Sequence, residues 1–447
     1  MRLPISVYAN RRRQLLQALP ANTIALVAAA SLQNRNRDTE YAFRQNSDFY
    51  YLTGFNEPDA ILLLIPGRSE GEAILFCPPR DAAMEIWTGL RAGPEGCVQH
   101  FALDQAFNLT ELDARLPELL SGKMALYYPM GESAQLDSRI QVWLGQVRAG
   151  ARQGWQAPEQ LVTLSSLVHE MRLFKSSEEV ALMQRAADIS AQAHCQAMRV
   201  CRPGLYEYHL EAEIHYQCQR QGARFQAYSA IVGGGANACI LHYIENQAPL
   251  LDGDLVLIDA GCELDNYASD ITRTFPVNGR FSPEQKALYQ LVLKTQEACI
   301  AAMAPGVPWN VIHDLSVQHL TEGLVDLGLL QGEVDALIEA EAYKPFYMHR
   351  IGHWLGMDVH DVGRYKLQGQ WRALEPGMVM TVEPGLYIAP DNLDVEPRWR
   401  GIGIRIEDDV LVTTDGHHIL TQTVPKQVDE IEALMASGRE DQHDSAI

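Results

Sequence analysis

Basic residues are scarce in this chain, with 36 Lys and Arg against 57 Asp and Glu over 447 residues, for a formal charge of −21. That balance repels nucleic-acid phosphates and anionic membrane surfaces, so neither is an expected partner. Long apolar runs are missing too, and no stretch approaches the ~20 uninterrupted apolar residues of a membrane span. The eight cysteines include no CxxC pair and no metal-finger spacing, which predicts buried free thiols rather than a disulfide framework. The HExxH pattern of zinc-protease helices is also absent. His349 and His353 are four residues apart, but the Glu is lacking and Gly352 and Gly356 break the segment.

What remains has an ordinary globular composition, with 47% apolar and 21% charged residues and length for two or three domains. Near the N-terminus, Arg11-Arg12-Arg13, an apolar stretch and Ala28-Ala29-Ala30 imitate a secretory leader. Pro20, Asn22 and Thr23 split that stretch into a short amphipathic helix and a strand from Thr23 to Ala30. This is how an α/β domain begins, and a cytoplasmic location is expected. Further strand-like runs at Ala60–Ile65, Ile74–Phe76 and Ala125–Tyr128 precede an amphipathic stretch from Ser138 to Val147. They predict an α/β domain over residues 1–174.

Ser176-Ser177-Glu178-Glu179 supplies a capping box for a long helix, so a second domain is expected over 175–447. Within it, a helix ending at Pro203-Gly204 leads into another from Tyr206, and a helix ending at Pro305-Gly306 leads into another from Trp309. Strands follow each pair, which suggests two related halves. After Pro425 a last helix is expected to reach about Ser437, with Gly438 as its stop and a frayed polar tail beyond.

The chemistry lies in carboxylates that end apolar strands. Leu255-Val256-Leu257-Ile258 runs into Asp259, and Asp270 follows after Leu264-Asp265, the midpoint between the two aspartates. A hairpin turning there sets the aspartates face to face, where they are either solvated turn residues or holders of a pair of divalent ions. Val379-Met380-Thr381-Val382 likewise ends on Glu383. In Ile402 to Glu407, period-two alternation puts the isoleucines on one face and Gly403, Arg405 and Glu407 on the other, so Arg405 is expected beside Glu407. Four histidines, His242, His349, His353 and His360, are candidate donors, although each alone is compatible with an ordinary core or surface position.

Asp259, Asp270, His353, Glu383 and Glu407 resemble the five ligands of the dinuclear metallopeptidases with the pita-bread fold. Segments 254–262, 269–276, 353–363, 375–378, 381–387 and 401–409 are similar to the bacterial aminopeptidase P (Xaa-Pro aminopeptidase) family, and 46–58 extends the likeness into the first domain. The resemblance implies an α/β N-terminal domain followed by an α+β pita-bread catalytic domain with pseudo-twofold symmetry. Methionine aminopeptidases lack so large an N-terminal domain, and creatine-hydrolysing relatives lack the ligand set. Prolidase shares fold, ligands and proline preference, but the words around His242 and His353 favour aminopeptidase P. An inactive peptide-binding relative would show damaged ligands, and all five positions are filled.

The same resemblance implies release of the N-terminal residue from peptides with proline in second position, by a hydroxide bridging two divalent ions, Mn2+ above all. Asp259 would chelate one ion, His353 and Glu383 would be terminal ligands, and Asp270 and Glu407 would bridge the pair, with Glu383 also moving the proton; such an oxygen-rich shell with one imidazole suits Mn2+, with Zn2+, Co2+ and Fe2+ left open. His242 and His360 would contact the substrate carbonyl, and His349 would line the proline subsite. Arg405 would support Glu407. Tyr228, Arg372 and Trp87 are further pocket candidates, Trp87 because this region reaches a neighbouring subunit in relatives, which implies a homo-oligomer, a tetramer.

Overall fold

The computed structural model describes residues 3–444 and places them in two compact units that divide between Arg172 and Leu173. The first unit is built on a six-stranded mixed sheet. Its strands lie in the spatial order Gln105–Asn108, Ala73–Cys77, Ile61–Leu64, Thr23–Ala28, Ala125–Tyr128 and Gln160–Thr163. Ile24, Leu26, Leu63, Ile74 and Phe76 pack against Leu112, Leu116, Trp143 and Leu144 of the flanking helices, giving the unit its own core. The leader-like arginines belong to the helix Ile5–Ala18. Arg12 is buried and donates to the Leu52 carbonyl at 2.7 Å, and the Arg11 guanidinium lies 3.9 Å from the Tyr51 ring centre. These two charges brace the helix against its neighbours.

The second unit opens with the expected capping box. Ser176 N–H donates to Glu179 Oε2 at 2.9 Å, Glu179 N–H donates to Ser176 Oγ at 3.4 Å, and the helix runs over Ser177–Val200. A second helix, Glu207–Arg220, leads to an antiparallel sheet of Ile231–Gly234, Leu255–Asp259 and Thr272–Pro276. The pattern then repeats. Helices Pro283–Ala301 and Trp309–Asp326 precede a second antiparallel sheet of Val379–Val382, Asp408–Thr413 and Gly416–Ile419. Trp309, Ile312, Ile351, Trp354, Met380, Val382 and Val410 form the core beneath that sheet. All eight cysteines are free, six of them buried. No helix among the described residues is long and apolar enough to cross a membrane.

The chain departs from expectation at its last helix and at the hairpin between the two aspartates. The last helix does not stop at Gly438 but runs over Val428–Asp444, and the remainder of the expected tail lies outside the described residues. Gly438 is buried against the end of the Ser177–Val200 helix, where a β-carbon would collide with the Arg199 backbone. Its small size serves close packing rather than termination.

The hairpin between the aspartates also turns one residue later than expected. Asp265 and Asn266 have φ of 48° and 65°, the left-handed pair that a tight two-residue turn demands and that Asp and Asn tolerate. Leu264 therefore pairs with Tyr267, and Asp259 faces Thr272 rather than Asp270.

Candidate metal centre

Asp270 is set two positions from the place opposite Asp259, and a two-residue offset keeps a side chain on the same face of the hairpin. The Tyr228 hydroxyl shows the result, lying between the two acids with its single proton shared, 2.6 Å from Asp259 Oδ1 and in contact with Asp270 Oδ1. From the second sheet, Glu383 follows directly after its strand, and Glu407 lies between the strands Ile402–Arg405 and Asp408–Thr413. His353 sits on irregular backbone held to the sheet. Its N–H donates to Thr381 Oγ1 at 3.0 Å, and Thr381 N–H donates to the His353 carbonyl at 2.9 Å.

The side chains converge in a cavity of about 430 Å³. His353 Nε2 is 3.5 Å from Asp270 Oδ2 and 3.6 Å from Glu383 Oε1. Asp270, His353 and Glu407 each offer a ligand atom, all within 4.8 Å of one another. His242, His349, His360, Tyr228 and Arg405 line the same cavity. The His360 ring stands 4.3 Å from the His353 ring at 78°, and His349 Nε2 is 2.9 Å from the Tyr387 hydroxyl. Ile231, Leu241, Ile244 and Val359 give the cavity an apolar wall. A cavity of about 500 Å³ lies in the first unit, but no group of metal donors converges there among the described residues.

Electrostatics show what the cluster lacks. Burial pushes the Glu383 carboxyl up to about 7, with Asp270 and Asp259 adding to the rise against His353 and Arg405. Glu407 is held well above the carboxylate range by burial and then by Asp270, Glu383 and Asp259. Asp270 is raised by burial despite its contact with His353. Burial alone would lower His353, but Asp270 and Glu383 outweigh it and bring the imidazolium to about 9. Acids so crowded gather protons when no cation is near, and bound cations release them. Four carboxylates and an imidazole in a water-accessible cavity therefore fit divalent metal ions with an oxygen-rich shell.

Arg405 departs from expectation. Its Nη2 donates to Asp259 Oδ2 at 2.7 Å, its Nε to Thr272 Oγ1 at 3.1 Å and its Nη1 to the Tyr387 hydroxyl at 2.9 Å. Glu407 instead accepts from Thr272 Oγ1 at 2.6 Å, so Arg405 reaches Glu407 only through Thr272. Strand alternation gave the correct face but not the partner, because the facing hairpin supplies a nearer acid.

Two candidates stand elsewhere. Arg372 is buried, donating to Glu375 Oε1 at 3.1 Å with its guanidinium 5.2 Å from the Phe174 ring centre, and it does not line the cavity. Trp87 belongs to the first unit, on the helix Ala82–Thr88, and is 83% exposed. Four residues not anticipated support the ligands. Thr272 and Thr381 each lie two positions from an acid on the same strand face, Tyr387 joins His349 to Arg405, and Asp409 Oδ2 accepts the Asp270 N–H at 2.9 Å. The two threonines were legible from period-two spacing; Tyr387 and Asp409 depend on pairing between distant segments.

Fold and donor set together define a metallopeptidase. Residues 181–414 match the model of metallopeptidase family M24, and residues 8–127 match that of the aminopeptidase P N-terminal domain. The chain is 48% identical to the Xaa-Pro aminopeptidase of Escherichia coli strain K12 over 433 residues, 97% of this chain and 98% of that protein. It is 46% identical to the Xaa-Pro aminopeptidase of Haemophilus influenzae over 434 residues, 97% and 98% of the two chains. Among solved structures, the aminopeptidase PepP of Pseudomonas aeruginosa superposes with a TM-score of 0.97 at 57% identity, covering 98% of this chain and 99% of that one. The chain belongs to metallopeptidase family M24. It has the pita-bread fold and is a metal-dependent hydrolase, in agreement with the resemblance to bacterial aminopeptidase P.

Proposed function

We propose that this chain is an Xaa-Pro aminopeptidase, cleaving the bond between an N-terminal residue and a following proline. The observation that carries the reading is the convergence of Asp270, His353 and Glu407 beside Asp259, Glu383 and three further histidines in one cavity. Residues 175–447 form the catalytic domain of this reading and residues 1–174 the N-terminal domain. Asp259, Asp270, His353, Glu383 and Glu407 would hold two divalent ions, with Mn2+ favoured by the oxygen-rich shell. Bound there, the ions supply Lewis acidity that polarises the scissile carbonyl and acidifies a water.

The chain's own groups do the rest. Glu383, in the same cavity, is placed to take a proton from the attacking water and deliver it to the prolyl nitrogen as the C–N bond breaks. His242 and His360 present ring N–H groups to the carbonyl oxygen as charge develops there. Burial lowers His360. His349, brought down to about 4 by burial and Arg405, stays neutral and offers a flat wall for a proline ring. Tyr228 keeps its proton between two acids, and Arg405 orients Asp259.

The relatives' names support the proline specificity, and the cytoplasmic homo-oligomer, a tetramer in this reading, rests on the likeness to bacterial aminopeptidase P. The test compares an Xaa-Pro-Xaa tripeptide with an Xaa-Pro dipeptide in the presence of Mn2+. Cleavage of the tripeptide at the Xaa-Pro bond is expected; exclusive dipeptide cleavage would make the enzyme a prolidase.

A further inference from the structure

His360 has no side-chain hydrogen bond among the described residues, so its ring is placed in the cavity by its backbone and by edge-on contact with the His353 ring. That backbone is anchored on both sides. Asp361 N–H donates to the Trp354 carbonyl at 2.8 Å, closing the 354–361 loop, and Leu355 N–H donates to the Val379 carbonyl at 3.0 Å, tying the loop to the second sheet. Next to His360, the Asp361 carboxylate is buried at 3.0 Å from Lys175 Nζ, both side chains 1% exposed. Lys175 is itself fixed. Its N–H donates to the Gly377 carbonyl at 2.8 Å, and its Nζ also reaches the Leu173 carbonyl at 3.4 Å. Gly356 packs flat onto the pair, where a β-carbon would collide with the Asp361 carboxylate and lie 2.9 Å from Lys175 Cε. Gly363, with φ of 140°, packs its far side against Leu173 and Trp354.

Two charges taken fully out of water are poor value for stability, since a well-packed apolar pair of similar volume is often as stable or more so. What such a pair provides is a unique register. From this we infer that the Lys175–Asp361 ion pair is a positioning device for His360, and that Lys175 acts on hydrolysis through that histidine without touching substrate. The inference rests on reading His360 as a donor to the substrate carbonyl. A hydrogen-bond donor must sit within a few tenths of an ångström of the developing oxyanion, and misplacement by about 1 Å from a remote change costs up to ~100-fold in rate.

The experiment measures kcat and KM on an Xaa-Pro-Xaa tripeptide, with bound-metal content and Tm, for K175M, K175R, K175M/D361L, H360A and K175M/H360A. K175M is expected to lower kcat by about 10- to 100-fold with KM changed by less than ~3-fold and metal content unchanged. K175R, which keeps the charge, should recover part of the loss. The double variant K175M/D361L should regain Tm, because no buried charge is left unpaired, but not kcat. In the H360A background K175M should cause no further loss. Recovery of kcat together with Tm in K175M/D361L, or a multiplied loss in K175M/H360A, would overturn the positioning role. A fall in metal content matching the fall in kcat would overturn it too. Wild-type kcat in H360A would instead sink the reading of His360 itself, and with it any action of Lys175 through that residue.

Discussion

Arg405 is paired with Asp259, across 146 residues of sequence, and not with Glu407 two residues away. The guanidinium is buried, with all three nitrogens engaged on Asp259, Thr272 and Tyr387. Lysine carries the same charge but one nitrogen, and cannot satisfy three acceptors in a fixed fork. Arg405→Lys is expected to lower kcat by about 10- to 100-fold while the protein stays folded, read from steady-state kinetics beside a thermal melt.

Thr272 is the shared acceptor and donor between the two halves of the site, taking a hydrogen bond from Arg405 Nε and giving one to Glu407. Thr272→Val keeps the shape and removes both bonds, leaving a buried carboxylate oxygen and a guanidinium N–H without that partner. The expected result is a fall of ~10-fold or more in kcat with weaker metal retention after dialysis. Thr272→Ser should stay close to wild type.

How much of this was legible in the sequence depends on distance along the chain. The Ser176–Glu179 capping box, the strand Ala125–Tyr128 and the repeated helix pairs follow from local spacing and appear as read. The acids at strand ends were visible because apolar runs do not end on Asp259 or Glu383 without a reason. The hairpin register was not, since Leu264-Asp265 and Asp265-Asn266 are both plausible turns until left-handed φ selects the second. Arg405's partner and the roles of Tyr387 and Asp409 were hidden for the same reason, that each is fixed by packing of segments far apart in sequence. Asp408, the acid next to Glu407, is likewise settled by distant segments, neutralised by Arg273 at 2.7 Å and Lys426 at 2.7 Å.

Gly438 gives a prediction about packing alone. Gly438→Ala favours the helix locally, but its β-carbon collides with the Arg199 backbone. The cost of overpacking, about 1–3 kcal/mol, should dominate and appear as a lower urea midpoint with kcat on the tripeptide unchanged.

Two buried histidines should contribute less stability in mild acid. Burial lowers His194 and His313 from 6.5 to about 4, so both stay neutral in the folded chain while the unfolded chain takes up protons near 6.5. Their contribution is complete above 6.5 and is lost as pH falls from there toward 4, because the unfolded state binds more protons across that window. Urea midpoints measured between pH 7.5 and 4.5 should fall less toward acid in His313→Gln than in the wild type. An identical pH dependence in the two proteins would contradict this account.

The crowded acids of the cavity are there to hold divalent metal. Mn2+ titrated into chelator-treated protein, with bound ion and tripeptide hydrolysis followed together, tests it directly. Two ions per chain, release of protons on binding, and return of activity in step with occupancy are expected, with Asp270→Asn losing both binding and activity. Full hydrolysis by the metal-free protein, or no Mn2+ bound by a folded chain, would contradict it.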